Sequence, residues 1–119
     1  MGLLDRLRRS SAMTPSDAAA ALDAGQLVLV DVREAGEYRA GHAPGSLHVP
    51  LDQVGSSLDR VGASGKEIAF VCRSGARSAM ATGLAVRAGL PARNVKGGML
   101  AWQRAGLPVE AGKARNGRR

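Results

Sequence analysis

Glu67-Ile68-Ala69-Phe70-Val71-Cys72-Arg73-Ser74-Gly75-Ala76-Arg77-Ser78 changes from apolar to polar in the space of one residue. Glu67 to Cys72 (EIAFVC) has no alternation, and an uninterrupted apolar run is the mark of a strand covered on both faces, as in parallel sheets. A turn follows, and then Ala76, Ala79, Met80, Gly83 and Leu84 recur at helical spacing, predicting a helix that ends near Gly89 with this stripe toward the core. In parallel sheets ligands gather at the carboxyl ends of strands. Cys72 occupies that end.

The flanking sequence repeats the pattern. Thr14-Pro15-Ser16-Asp17 is a helix start, with a capping hydroxyl, proline in the first turn and an acid at the positive end of the dipole. The run Ala18 to Leu22 continues that helix, and Gly25 can end it. Gln26 to Val32 (QLVLVDV) is a second strand without alternation. Glu34 to Ala40 suits a short helix stopped by Gly41, and Ser46 to Val49 a short strand closed by Pro50. Leu51, Val54, Leu58 and Val61 mark an amphipathic helix. Asn94 to Lys96 reads as a last strand, Gly97-Gly98 as a turn and Met99 to Ala105 as a closing helix. Strands alternating with helices predict an α/β protein, a parallel sheet of four strands with helices on both faces. A fifth strand could lie only near Met13.

The length of 119 residues fits one domain, and with 3% aromatic residues the core has to be aliphatic. The net charge of +7 is unevenly placed. Arg6, Arg8, Arg9, Lys113, Arg115, Arg118 and Arg119 lie in segments 1–12 and 111–119, leaving 13–110 almost neutral. We expect two basic flexible tails around one domain. The tails have no interleaved aromatic platform for base stacking, so no nucleic-acid partner is expected. No apolar run is long enough to cross a bilayer, Leu3, Leu4 and Leu7 offer little area for stable membrane association, and Met1 to Met13 lacks the apolar core of a secretory signal. A cytoplasmic location is the expectation.

The single cysteine excludes an internal disulfide and a cysteine-based zinc site, so no metal or other cofactor is expected. It leaves two alternatives, an inert buried thiol or a reactive one. The surroundings of Cys72 favour the second. Free N–H groups at a helix start, the helix dipole and a tight turn containing Gly75 all place positive potential near the sulfur. Arg73 and Arg77 add two formal charges. The thiol pKa is therefore expected below the free value of about 8.5, with each unit stabilising the thiolate by about 1.4 kcal/mol.

From Met13 to Glu110 the chain resembles the rhodanese family. The resemblance is carried by Val30-Asp31-Val32-Arg33, by Glu37 to Ser46 (EYRAGHAPGS), by Val49-Pro50, by the Cys72–Arg77 loop and by Val95 to Trp102 (VKGGMLAW), in matching order and spacing. It implies a three-layer fold around a five-stranded parallel sheet and a six-residue active-site loop from Cys72 to Arg77. It further implies sulfurtransferase activity through a Cys72 persulfide, with Arg73, Ser74, Gly75, Ala76 and Arg77 binding a small anionic donor such as thiosulfate or a persulfide. With one cysteine, the acceptor has to be an external thiol, a protein or cyanide. Asp31, Arg33, Glu37 and His42 are expected to form a structural network tying loops at the sheet edge. His42 and His48 offer no metal cluster.

Two other functions compete. Phosphatase-like and arsenate-reducing relatives place five residues between cysteine and arginine, whereas four separate Cys72 from Arg77. Non-catalytic binding modules of the family lack the cysteine, which is present here.

Overall fold

Strands and helices alternate through residues 12–113, which the computed structural model describes. In chain order they are β1 (Ala12–Met13), α1 (Pro15–Asp23), β2 (Leu27–Asp31), α2 (Ala35–Ala40), β3 (Leu47–His48), α3 (Leu51–Val61), β4 (Glu67–Val71), α4 (Ala76–Arg87), β5 (Ala92–Val95) and α5 (Gly98–Arg104). The sheet order is β1-β5-β4-β2-β3, and every neighbouring pair is parallel. The fold is therefore α/β, with the fifth strand at Ala12–Met13, hydrogen-bonded to β5 in the register Met13↔Val95. Most of the two expected tails, residues 1–11 and 114–119, lies outside the described residues.

Local chemistry accounts for the elements. Asp17 N–H donates to Thr14 Oγ1 at 3.1 Å, and Pro15 opens α1. The two apolar strands are central and alternate between two cores. Val28, Val30, Ile68 and Phe70 face α3 and α4, while Leu27, Leu29, Ala69 and Val71 pack on the opposite side with Met13, Met99 and Trp102. The same period of two puts Cys72 on the α4 side, beside Phe70 in that cluster.

Three expectations shift. β4 ends at Val71, so Cys72 is the first residue of the turn and not the last of the strand. The last strand runs Ala92–Val95, starting two residues and ending one residue earlier than expected. The third concerns α4. Its buried face is Ser78, Ala81, Thr82 and Ala85, whereas Met80 and Leu84 of the predicted stripe are 63% and 37% exposed. Both stripes have helical spacing, and small side chains are what allow the helix to approach the sheet closely. Thr82 Oγ1 donates to the Ser78 carbonyl at 2.7 Å, so that hydroxyl is satisfied within the helix.

Candidate active site

The turn from β4 into α4 wraps around one sulfur atom. Gly75 takes φ +118°, a conformation that favours glycine, and its N–H points to Cys72 Sγ at 3.1 Å. A Cβ built at Gly75 would meet nothing closer than 3.8 Å, so the requirement for glycine comes from the backbone angle and not from crowding. The Ser78 hydroxyl lies 3.3 Å from the sulfur. Burial pushes the thiol pKa up, but the Ser78 hydroxyl and the amides of Ser78, Gly75 and Ser74 outweigh it, so Cys72 is held below its ordinary value. Cys72 is 1% exposed, with its sulfur beneath the loop and its donors turned inward. Arg73, Ser74 and Ala76 form the exposed outer side of that loop.

A second layer fixes the turn from below. Asn94 on β5 accepts from Ser78 Oγ at its Oδ1, 2.5 Å away, and its Nδ2 donates to the Gly75 carbonyl at 3.1 Å. The N-terminus of α5 holds the preceding carbonyls, with Met99 N–H on Cys72 O at 2.8 Å and Leu100 N–H on Arg73 O at 3.1 Å. Gly98 makes this approach feasible. It has φ +61°, and a Cβ there would fall 2.5 Å from both the Cys72 and Arg73 carbonyl oxygens. Gly97-Gly98 is thus more than a turn into the last helix; it is the contact surface beneath the loop.

The two arginines differ. Arg73 is exposed, and its guanidinium makes no hydrogen bond or ion pair with the described residues. Arg77 is committed to Glu37 on α2, through Nη1 to Oε1 at 2.7 Å and Nη2 to Oε2 at 3.0 Å. Of the four residues expected in one network, Glu37 therefore belongs to the loop. Asp31 and Arg33 form a separate buried pair, with Arg33 Nη2 2.8 Å from Asp31 Oδ2 and 2.7 Å from the Gly41 carbonyl. His42 donates from Nδ1 to the Tyr38 carbonyl at 2.7 Å, and both His42 and His48 stack on the Tyr38 ring. These groups join the end of β2 to α2 and the loop after it, and none of their hydrogen bonds is to the sulfur. Among the described residues no three His, Cys, Asp or Glu side chains cluster as metal ligands would.

Ser78, Asn94 and Gly98 are the site residues that sequence reasoning passed over. Ser78 was adjacent to the loop, and the double glycine was visible. Nothing in the chain order linked Asn94 to Ser78 and Gly75, sixteen and nineteen positions away.

Residues 14–105 match the rhodanese-like domain family. The chain belongs to that family. Among curated relatives, this rhodanese-like domain is 32% identical to a sulfurtransferase of Allochromatium vinosum over 75% of this chain and 83% of that one. It is 39% identical to an HTH-type transcriptional regulator of Mycobacterium tuberculosis over 76% of this chain, spanning 40% of that longer protein. Among solved structures, a thiosulfate sulfurtransferase of Pseudomonas aeruginosa superposes with TM-score 0.81 at 25% identity, over 95% of this chain and 22% of that one. A Rhodopseudomonas palustris protein described as a possible tyrosine phosphatase superposes with TM-score 0.77 at 30% identity, over 92% and 95% of the two chains. The rhodanese-like domain thus shares its fold with proteins named for sulfur transfer, transcriptional regulation and phosphatase chemistry.

Proposed function

We propose that this protein is a sulfurtransferase that carries sulfane sulfur on Cys72 from thiosulfate, or a similar small anionic donor, to an external acceptor. The observation that carries the reading is the set of inward donors on Cys72 Sγ, the Gly75 amide at 3.1 Å and the Ser78 hydroxyl at 3.3 Å. They favour an anionic sulfur with no general base beside it.

In the first step the Cys72 thiolate attacks the outer sulfur of thiosulfate. A new S–S bond forms, the donor's S–S bond breaks, and its electron pair leaves with sulfite. The product is Cys72–S–S⁻, which inherits the same ring of amides. In the second step an acceptor thiolate or cyanide attacks the terminal sulfur, the persulfide bond breaks, and the Cys72 thiolate returns. Because Cys72 lies beneath the loop, the donor has to reach it past the exposed side formed by Arg73, Ser74 and Ala76. Arg73, exposed and unpaired among the described residues, meets the dianion first, while Arg77 braces the loop through Glu37.

The phosphatase reading draws on the Rhodopseudomonas palustris neighbour. Against it stand the four-residue spacing from Cys72 to Arg77 and the engagement of Arg77 by Glu37, which leave fewer free donors for a tetrahedral phosphate. One experiment separates the two. Thiosulfate treatment followed by mass spectrometry is expected to add one sulfur, about 32 mass units, to the Cys72 peptide, as covalent carriage requires. Thiocyanate should form on adding cyanide, and only with Cys72 intact. An equal rate in Cys72→Ser, or turnover of a phosphate ester without sulfur loading, would overturn the assignment.

A further inference from the structure

The Ser78 hydroxyl carries one hydrogen and meets three acceptors: Asn94 Oδ1 at 2.5 Å, the Gly75 carbonyl at 3.2 Å and Cys72 Sγ at 3.3 Å. It cannot serve all three at once. The far end of Asn94 fixes the orientation of its amide. Nδ2 donates to the Gly75 carbonyl, so Oδ1 is the atom that faces Ser78, and an amide oxygen only accepts. While Cys72 is a thiol, the Ser78 hydrogen lies on Asn94 and the thiol can give its own hydrogen to Ser78 Oγ. Once the sulfur is ionised it needs a donor, and the Ser78 hydrogen is the one side-chain hydrogen of this trio able to turn to it. Turning costs the short contact to Asn94.

We infer that Asn94 is a positioning residue that tunes the acidity of Cys72 through Ser78, by competing with the thiolate for the single hydroxyl hydrogen. Asn94 is hydrogen-bonded to Ser78 and Gly75 and not to the sulfur. It sets how readily the hydroxyl reorients when Cys72 changes charge, and so how much thiolate is present at neutral pH. The buried position of Ser78 keeps water from replacing either partner. The inference rests on Cys72 acting as a nucleophile, but not on which group it transfers.

Titration of thiolate ultraviolet absorbance tests it without turnover, and the single cysteine makes the signal unambiguous. Ser78→Ala removes the turning donor and is expected to raise the Cys72 pKa by about one unit, a tenfold loss of thiolate below it. Asn94→Val keeps a strand-forming residue of similar size and removes the competing acceptor, so the pKa is expected to fall by roughly half a unit. In the Ser78→Ala background the same change at Asn94 is expected to shift the pKa by less than about 0.3 unit. Ser78→Thr retains the hydroxyl and is expected to titrate like the wild type. A rise in pKa on Asn94→Val would overturn the inference, as would a full shift surviving in the double variant, since either means that Asn94 acts through the Gly75 carbonyl. Should Ser78→Ala fail to fold, the direction of the Asn94→Val shift decides the matter alone. Absence of thiosulfate turnover in the wild type, with these shifts present in the variants, would count against the sulfurtransferase reading and leave this one standing.

Discussion

Arg77 and Glu37, forty positions apart in the chain, are joined by two parallel hydrogen bonds of 2.7 and 3.0 Å. Glu37 also accepts from the Glu34 N–H at 2.9 Å, so one carboxylate ties the start of α2 to the start of α4. The fork-on-fork geometry fixes orientation as well as distance. It sets the loop's two cations apart, with Arg77 bracing the turn and Arg73 left to face solvent.

This ion pair makes stability depend on pH in a definite direction. The hydrogen bond to Arg77 holds the Glu37 carboxyl at about 2, below its ordinary 4.5, against an opposing effect of burial. A depressed carboxylate pKa contributes stability above the unfolded value of 4.5, and the contribution is lost as pH falls through about 2. Both side chains are about one-third exposed, so solvent screening limits the pair to about 1 kcal/mol at neutral pH. Urea unfolding of Glu37→Gln beside wild type should show that gap at pH 7 and its closure between pH 4.5 and 2. A gap that persisted in acid would show that Glu37 acts by packing alone.

Arg73 is expected to matter for donor capture. Arg73→Ala should raise the KM for thiosulfate roughly tenfold with a smaller change in kcat, as loss of a charge-assisted contact to a dianion implies. Initial rates over a range of donor concentrations measure this, and wild-type KM should climb with ionic strength. Unchanged kinetics in the variant would remove Arg73 from the path of the donor.

Gly98→Ala tests the support beneath the loop. A methyl group at that position would sit 2.5 Å from two carbonyl oxygens, at φ +61°. Strain of this kind costs about 1–3 kcal/mol for the backbone angle alone, and displacement of the carbonyls adds to it. Chemical denaturation should therefore show a loss of at least about 2 kcal/mol, accompanied by slower sulfur loading of Cys72. Wild-type stability would mean that the contact between α5 and the loop is looser than these distances describe.

The Asp31–Arg33 pair should be the most sensitive polar contact away from the sulfur. Asp31 is 0% exposed and Arg33 7%, and Arg33 Nη2 also holds the Gly41 carbonyl. Arg33→Ala leaves a buried carboxylate without its cation, a loss of about 3–5 kcal/mol. A thermal melt would report it, and a fall of less than about 1 kcal/mol would show that the site readily admits water.

The facing of α4 can be checked by contrast. Met80→Gln on the outer face should change stability by no more than about 0.5 kcal/mol, whereas Ala85→Leu on the inner face should cost about 1–3 kcal/mol through overpacking. Reversal of these two results would mean that the helix is rotated about its axis.

Much of the fold was legible because its signals are local. QLVLVDV and EIAFV have no polar alternation, so each needs cover on both faces, and that requirement alone points to a parallel sheet. Gly75 and the polar turn after Cys72 likewise announce a tight turn closing on the sulfur, because the constraint on backbone angle is written at the residue itself. The face of α4 was not legible. In an alanine-rich helix two stripes share the same spacing, and the more hydrophobic one, with Met80 and Leu84, points outward because only small side chains fit between helix and sheet.

The amino-acid order alone determined the α/β class, the central strands and the turn at Cys72, since each depends on contacts within a few residues. Tertiary structure decided that Arg77 belongs to Glu37, that Asn94 reaches Ser78, and that Gly98 lies under the loop. These pairings join positions far apart in the chain, and their energies depend on distances and directions that exist only once the sheet is assembled.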